Sequence, residues 1–353
     1  MIMLSLVALV SCSTPPPATP QAIIDDIRAK NNLPALGVAI VRLKSLPEIY
    51  VTGVRRVGQN DPVTVDDTWH LGSDTKAFTA ALIASLVDQG KGKYDQRAAD
   101  LLGIANPDET HVKTTLADLL GMRGNLEGNP KRGWQTYQRM PGTLASRRQA
   151  MAQDVFTTLP QGIKLGEFTY SNIGYALIGH IAEIWAGQPY EQAMEAKILK
   201  PLRIRTAAFG PNPANEPQPH IDGVPIVTDY PDNPPVLNPA GCLHMSLDDW
   251  SKWVQEVMLS IRGDASLLPT SYGERIRRSP DDGTYISGWI KLQRGWSKGS
   301  VYTHAGSNTM NYAIAWLAPA EGVAYLAVTN DGGKNSAKAL DDAVSALIRL
   351  GAK

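Results

Sequence analysis

Apolar positions along this chain change period twice, and the changes mark out its layout. From Gln21 to Asn31, Ile23, Ile24 and Ile27 recur at helical spacing, which predicts a short amphipathic helix. "ALGVAIVRL" (35–43) and "EIYVTGV" (48–54) are runs of strand length on either side of Lys44-Ser45-Leu46-Pro47, the pattern of a hairpin. Residues 73 to about 202 then read as helices and loops. The clearest helix is "SNIGYALIGHIAEIWAG" (171–187), with Ile173, Ala176, Leu177 and Ile181 on one side and Gly187 to close it. Ten of the 25 prolines fall between Pro201 and Pro239, so irregular or extended chain is expected there. "SLDDWSKWVQEVM" restarts a helix with Ser246 as N-cap and Asp249 three residues later, turning Trp250, Trp253, Val254 and Val257 inward. "YISGWIKL" (285–292), "VYTHAG" (301–306), "NYAIAWLA" (311–318) and "VAYLAVTN" (323–330) predict four successive strands, with "APAEG" as the turn between the last two. "NSAKALDDAVSALIRL" (335–350) predicts a final helix.

Strands near both ends thus bracket a helical middle. The simplest packing is α+β, an antiparallel sheet flanked by the N- and C-terminal helices with an all-helical subdomain inserted beside it. Residues 21–350 are expected to form one domain. Within it, 21–65 and 245–350 carry the sheet, 66–204 are mainly helical, and 205–244 form the Pro-rich irregular segment. With 43% apolar and 19% charged residues, the 353-residue chain can build a sizeable core. Its formal net charge is zero and no basic block stands out, which argues against a nucleic-acid partner.

The N-terminal residues carry a separate signal. Met1 to Val10 are almost wholly apolar, and Leu9-Val10-Ser11-Cys12 resembles the cleavage box of bacterial lipoproteins. Residues 1–20 are therefore expected to be a lipoprotein signal and tether. Cys12 would be the lipidated residue, and four prolines between Ser13 and Pro20 would extend the tether from a membrane surface in the cell envelope. No lysine or arginine precedes the apolar run, a departure from such leaders. The second cysteine, Cys242, reads as a small buried residue, so no disulfide is expected.

The first candidate chemistry lies in "HLGSDTKAFTAALIASLVDQG" (70–90), where Lys76 follows Ser73 by three residues at the start of a very apolar helix. One helical turn puts both side chains on the same face. Burial disfavours an ammonium, so a neutral amine there can take the serine proton. The helix N-terminus also offers unpaired N–H groups to a developing oxyanion. Alone the pair is a weak signal, because twenty serines and sixteen lysines yield about one such spacing by chance; a surface lysine near a helix start is the competing reading.

Two further elements strengthen it. Tyr170-Ser171-Asn172 opens the helix at 171, and His304-Ala305-Gly306 lies on a late predicted strand. Ser-x-x-Lys, Tyr-x-Asn and a Lys-or-His-x-Gly element, in that order, resemble the serine β-lactamase and penicillin-binding superfamily. The flanks "YSNIGYALIGHIAE" to "ILKPL", "AGCLHMSLDDW" and "HAGSN…PAEGVAYLAVTN" are similar to its class C branch, which includes family VIII carboxylesterases and D-amino-acid peptidases. The resemblance implies a β-lactamase/transpeptidase-like fold, with Ser73 as nucleophile, Lys76 as its proton acceptor and Tyr170 as a second proton-transfer group. Asn172 would orient Lys76 and bind a substrate amide, although a helix-capping role is equally open to it. Gly306 would let substrate lie along the strand edge, and the N–H groups of Ser73 and Ser307 would form the oxyanion hole.

Departures from the family pattern bear on substrate. His304 stands where many β-lactamases have lysine, so a permanent cation for a substrate carboxylate is missing. Met310 replaces a usual glycine and is expected to crowd the strand edge. The segment after Leu119-Leu120 carries Met122-Arg123-Gly124-Asn125 in place of the usual run, and Trp134 and Tyr137 are candidates for a pocket wall or for core. Six histidines fall in no metal-ligand spacing, and no Gly-x-Ser-x-Gly or phosphate-binding loop is present; no cofactor or metal is expected. The reading is a lipid-anchored serine hydrolase that acts through acyl-Ser73 on carboxylic esters or D-amino-acid peptides. A class C-like β-lactamase and a catalytically silent cell-wall peptide-binding protein are the alternatives.

Overall fold

A computed structural model describes residues 19–160 and 162–351. Cys12 and its expected cleavage box lie outside these residues. Helix α1 (Pro20–Lys30) is capped by the Thr19 hydroxyl, which accepts from the Ala22 N–H. Strand β1 (Ala35–Arg42) runs antiparallel to β2 (Glu48–Gly53) on one side, with Ala35 opposite Gly53. On its other side it pairs with β12 (Val323–Thr329), Gly37 facing Val328.

Three further pieces come between. They are β3 (Thr68–Gly72), β4 (Ala208–Phe209) and the hairpin β5 (His220–Ile221) and β6 (Val224–Pro225). Next come β7 (Leu243–Ser246), β8 (Tyr285–Ile286), β9 (Trp289–Leu292), β10 (Val301–Ser307) and β11 (Tyr312–Ala318). The main sheet is antiparallel in the order β2-β1-β12-β11-β10-β9-β8, and β3-β7-β4 form a smaller sheet beside it.

Period-2 alternation divides β1 between two cores. Leu36, Val38 and Ile40 face α1 and the C-terminal helix Ser336–Gly351, meeting Ile24, Leu340, Val344 and Leu347. Ala35, Ala39 and Val41 face the opposite layer, where Phe78 stacks on Trp253 with ring centroids 3.9 Å apart. That layer holds α2 (Thr75–Asp88) and the helix Leu247–Arg262, whose Ser246 cap accepts from the Asp249 N–H. Trp250, Trp253, Val254 and Val257 of the latter are all buried, as its spacing requires. The α+β class and the β-lactamase/transpeptidase-like architecture are therefore those expected.

The apolar run 285–292 differs from expectation. It is not one strand but a hairpin, with Ile286 opposite Trp289 and Tyr285 opposite Ile290. Ser287 (φ 51°) and Gly288 (φ 91°) both take positive φ, the conformation that two-residue hairpin turns require. The turn packs directly on α2, so a β-carbon on Gly288 would stand 2.3 Å from the Ala77 Cα.

This contact yields a stability test. Gly288→Ala is expected to destabilise the protein by about 2–4 kcal/mol, the sum of a left-handed-backbone penalty and an unavoidable clash. Gly90→Ala, at φ 74° with nothing within 4 Å of the added carbon, should cost only the backbone part, about 1–2 kcal/mol. Chemical denaturation of both variants measures the difference, and equal losses would contradict the packing described.

Candidate active site

The smaller sheet delivers the serine. Between His70 and Gly72 the β3–β7 register shifts, and Gly72 turns the chain at φ 50°. Ser73 follows, half-buried, and α2 begins two residues later. The first turn is pinned by Thr75, whose hydroxyl donates to the Gly72 carbonyl at 2.6 Å and accepts from the Leu243 N–H at 3.1 Å. Beyond it α2 is apolar nearly all round and buried along almost its whole length, which drives Lys76 into the interior.

Lys76 is 0% exposed. Its Nζ lies 2.9 Å from Ser73 Oγ, 2.9 Å from Asn172 Oδ1 and 2.6 Å from the Ala240 carbonyl. All three partners are neutral oxygens. Burial lowers the amine to about 7, against weaker support from Cys242 and Asp74. Burial also holds the Cys242 thiol well above its usual range and pushes the Asp74 carboxyl the same way, so little anionic charge is available to the ammonium. Cys242 is buried and free, as its sequence context suggested.

Tyr170 and Asn172 reach the same spot from the start of the helix Asn172–Ala186. Ser171 is the N-cap, accepting from the Gly174 N–H at 3.0 Å, which leaves the Asn172 side chain to Lys76 rather than to capping. The segment after Leu120 anchors this turn: the Met122 carbonyl accepts from the Thr169 N–H, and the Gly128 carbonyl from the Asn172 N–H. Tyr170 is 38% exposed overall, yet its hydroxyl is desolvated and lies beside Ser73. Burial therefore raises the phenol, which stays protonated. Lys76 Nζ sits 4.9 Å from its ring centroid.

Strand β10 closes the other side. Its pairing with β9 ends at Thr303, so His304 to Ser307 have no ladder partner on that edge. A β-carbon on Gly306 would stand 2.7 Å from the Ser73 nitrogen, and one on Gly72 would stand 2.4 Å from the Ser307 nitrogen. Those two glycines let the two backbone nitrogens approach one another. His304 is buried and lowered to about 3, by desolvation and then by Lys76. Its Nδ1 lies 3.9 Å from Asp74 Oδ1, and neither atom has a hydrogen-bond partner among the described residues.

The structure thus brings Ser73, Lys76, Tyr170, Asn172, His304, Gly306 and Ser307 around one cleft. Met310 stands in the β10–β11 turn, outside both strands, and not on the strand edge. Tyr137 is buried and donates to Asp154, whereas Trp134 donates to Asn129 Oδ1, an atom that also accepts from Asn172. Asp74, the Ala240 carbonyl and a buried cluster of His70, Asp232 and Asn308 carry no signature along the chain. None of them belongs to a local sequence pattern.

Penicillin-binding protein 4 of Amycolatopsis lactamdurans is 24% identical over 335 residues, 88% of this chain and 84% of that protein. The chain spans less than half the length of several further curated relatives it matches. A class C beta lactamase from Rhodobacter sphaeroides superimposes with a TM-score of 0.75 at 17% identity, covering 93% of this chain and 99% of that one. The D-amino acid amidase from Ochrobactrum anthropi SV3, solved with L-phenylalanine amide, gives 0.74 at 20% identity, covering 95% and 98%. These structures share the fold. The Beta-lactamase family model matches residues 21–350, and this chain belongs to that family of serine hydrolases.

Proposed function

We propose that the chain is a serine hydrolase that forms an acyl intermediate on Ser73 and acts on carboxylic esters or on amides and peptides of D-amino acids. The observation that carries this reading is the 2.9 Å contact between Ser73 Oγ and an amine held near pKa 7. As Oγ attacks the carbonyl carbon, its proton passes to Lys76, and the C=O electrons move to oxygen between the Ser73 and Ser307 N–H groups. Collapse of that tetrahedral adduct breaks the bond to the leaving group, which takes a proton from the Tyr170 phenol. The ammonium of Lys76 returns its proton to Tyr170. Water then attacks the acyl carbon, giving its proton to the Lys76 amine, and Oγ leaves with a proton from Lys76. A raised phenol suits Tyr170 as donor rather than as phenolate base.

The family acts on β-lactam, peptide or amide substrates. Support for esters and amides above β-lactams comes from His304. Desolvation and the neighbouring Lys76 keep its imidazole neutral, so no cation there meets a substrate carboxylate. The likeness to the D-amino acid amidase agrees with this choice. We place the enzyme in the cell envelope, held by lipid on Cys12 and facing the periplasm or exterior; this part rests on the sequence of residues 1–20.

Three outcomes test the reading. Ser73→Ala should abolish turnover of p-nitrophenyl acetate and labelling by a fluorophosphonate; turnover within tenfold of the parent's would reject Ser73 as nucleophile. In the parent, kcat/KM should rise tenfold per pH unit below about 7 and level above it, because the free amine is the active form. A profile flat from pH 5 to 9 would remove Lys76 from the role of base. Finally, His304→Lys should raise the preference for a carboxylate-bearing cephalosporin over the acetyl ester by about 10–100-fold, the worth of a charge-assisted hydrogen bond. An unchanged ratio would show that His304 does not set substrate charge.

A further inference from the structure

The Pro-rich segment contributes a carboxylate to the back of the cleft. Asp232 has a side chain 0% exposed, in a stretch without regular structure. Its Oδ1 accepts from the Asn308 side-chain amide at 2.9 Å and from the Asn233 N–H at 2.6 Å. His70 Nε2 lies 2.9 Å from the same oxygen, off the line of a straight hydrogen bond. On the other side of that ring, Nδ1 accepts the Gly72 N–H at 3.0 Å. Nδ1 therefore offers its lone pair to that N–H, which leaves Nε2 as the ring nitrogen that carries a proton toward Asp232. Asn308 is 2% exposed and uses its own Oδ1 to accept from the Met310 N–H and the Asn311 side chain.

These contacts converge on two backbone points. Gly72 immediately precedes Ser73, and Asn308 immediately follows Ser307. One carboxyl oxygen thus accepts from the residue after Ser307 and lies 2.9 Å from the ring that accepts the N–H of the residue before Ser73. Neither tie lies in the family's three motifs.

We propose that Asp232 is a positioning residue for the oxyanion hole, setting the spacing of the Ser73 and Ser307 nitrogens through His70–Gly72 on one side and Asn308 on the other. An oxyanion hole works by donors fixed before the charge develops, so slack at either strand end reduces transition-state binding more than substrate binding. The effect on rate rests on the hydrolase reading; the effect on the two strand ends does not.

The test compares the full-length parent with Asp232→Ala, Asp232→Asn and Asn308→Ala, by p-nitrophenyl acetate kinetics and by amide hydrogen exchange in peptides covering 68–76, 305–311 and 335–350. For Asp232→Ala, kcat should fall about a hundredfold with KM little changed, the loss typical of one oxyanion donor. Exchange should quicken in 68–76 and 305–311 and stay unchanged in 335–350. Asp232→Asn keeps an Oδ1 acceptor and should lose less than about tenfold, the difference between a charged and a neutral acceptor. Asn308→Ala should loosen 305–311 alone, which keeps the inference testable even if Asp232→Ala does not fold. Unchanged exchange at both strand ends in the Asp232 variants, or an Asn308→Ala effect spread evenly over all three peptides, would overturn it. A parent without ester turnover whose Asp232 variants still loosen both ends would reject the hydrolase reading and leave the clamp standing.

Discussion

An ammonium buried without a counter-charge is among the most unfavourable groups a protein interior can hold, and Lys76 occupies that position. Three neutral oxygens surround it, while the neighbouring carboxyl and thiol are driven by the same burial toward their protonated forms. The group relieves the penalty by giving up its proton near neutral pH. Much of the local structure serves that outcome. An α2 apolar on every side removes the water, Asn172 and Ala240 fix the nitrogen, and the bulge before Gly72 sets Ser73 within reach.

The other titratable groups of the cleft follow the same rule. Tyr170 and His304 are both shifted toward neutrality, the phenol upward and the imidazole downward. A cleft that avoids fixed charge favours uncharged carbonyl substrates and makes the nucleophile's proton the one most readily moved. Two buried carboxyls lie close to Ser73 and differ in their surroundings. Among the described residues neither Asp74 oxygen has a hydrogen-bond partner, whereas one oxygen of Asp232 accepts from Asn308 and Asn233 and lies 2.9 Å from His70 Nε2. The first, driven toward its protonated form, gives Lys76 only weak support; the second holds the chain just past Ser307 through Asn308.

Local pattern made the fold and much of the cleft legible. The alternation in β1, the cap at Ser246 and the spacing of Ser73 from Lys76 each depend on residues within a turn or two of one another. The 285–292 run reads as one strand because Ser287-Gly288, a hairpin dipeptide, is hidden among apolar neighbours that suit a continuous strand. Asn172 was ambiguous because either it or Ser171 could cap the helix, and only the position of Lys76 separates the two roles. Asp74, Asp232 and Asn308 could not be read from sequence at all. Asp232 and Asn308 meet across 76 positions of the chain, and Asp74 takes its effect from burial, so no spacing along the chain records them.

The account stands most directly on the titration of one amine. Protein labelled with 13C at lysine Cε and titrated by NMR from pH 5 to 11, with Lys76→Met used to assign the resonance, reports that proton alone. A midpoint near 7 is expected, well below the usual range of a lysine. A midpoint above about 9.5, in the ordinary range of a solvated lysine, would contradict the account, since the serine would then face a permanent ammonium and have no base.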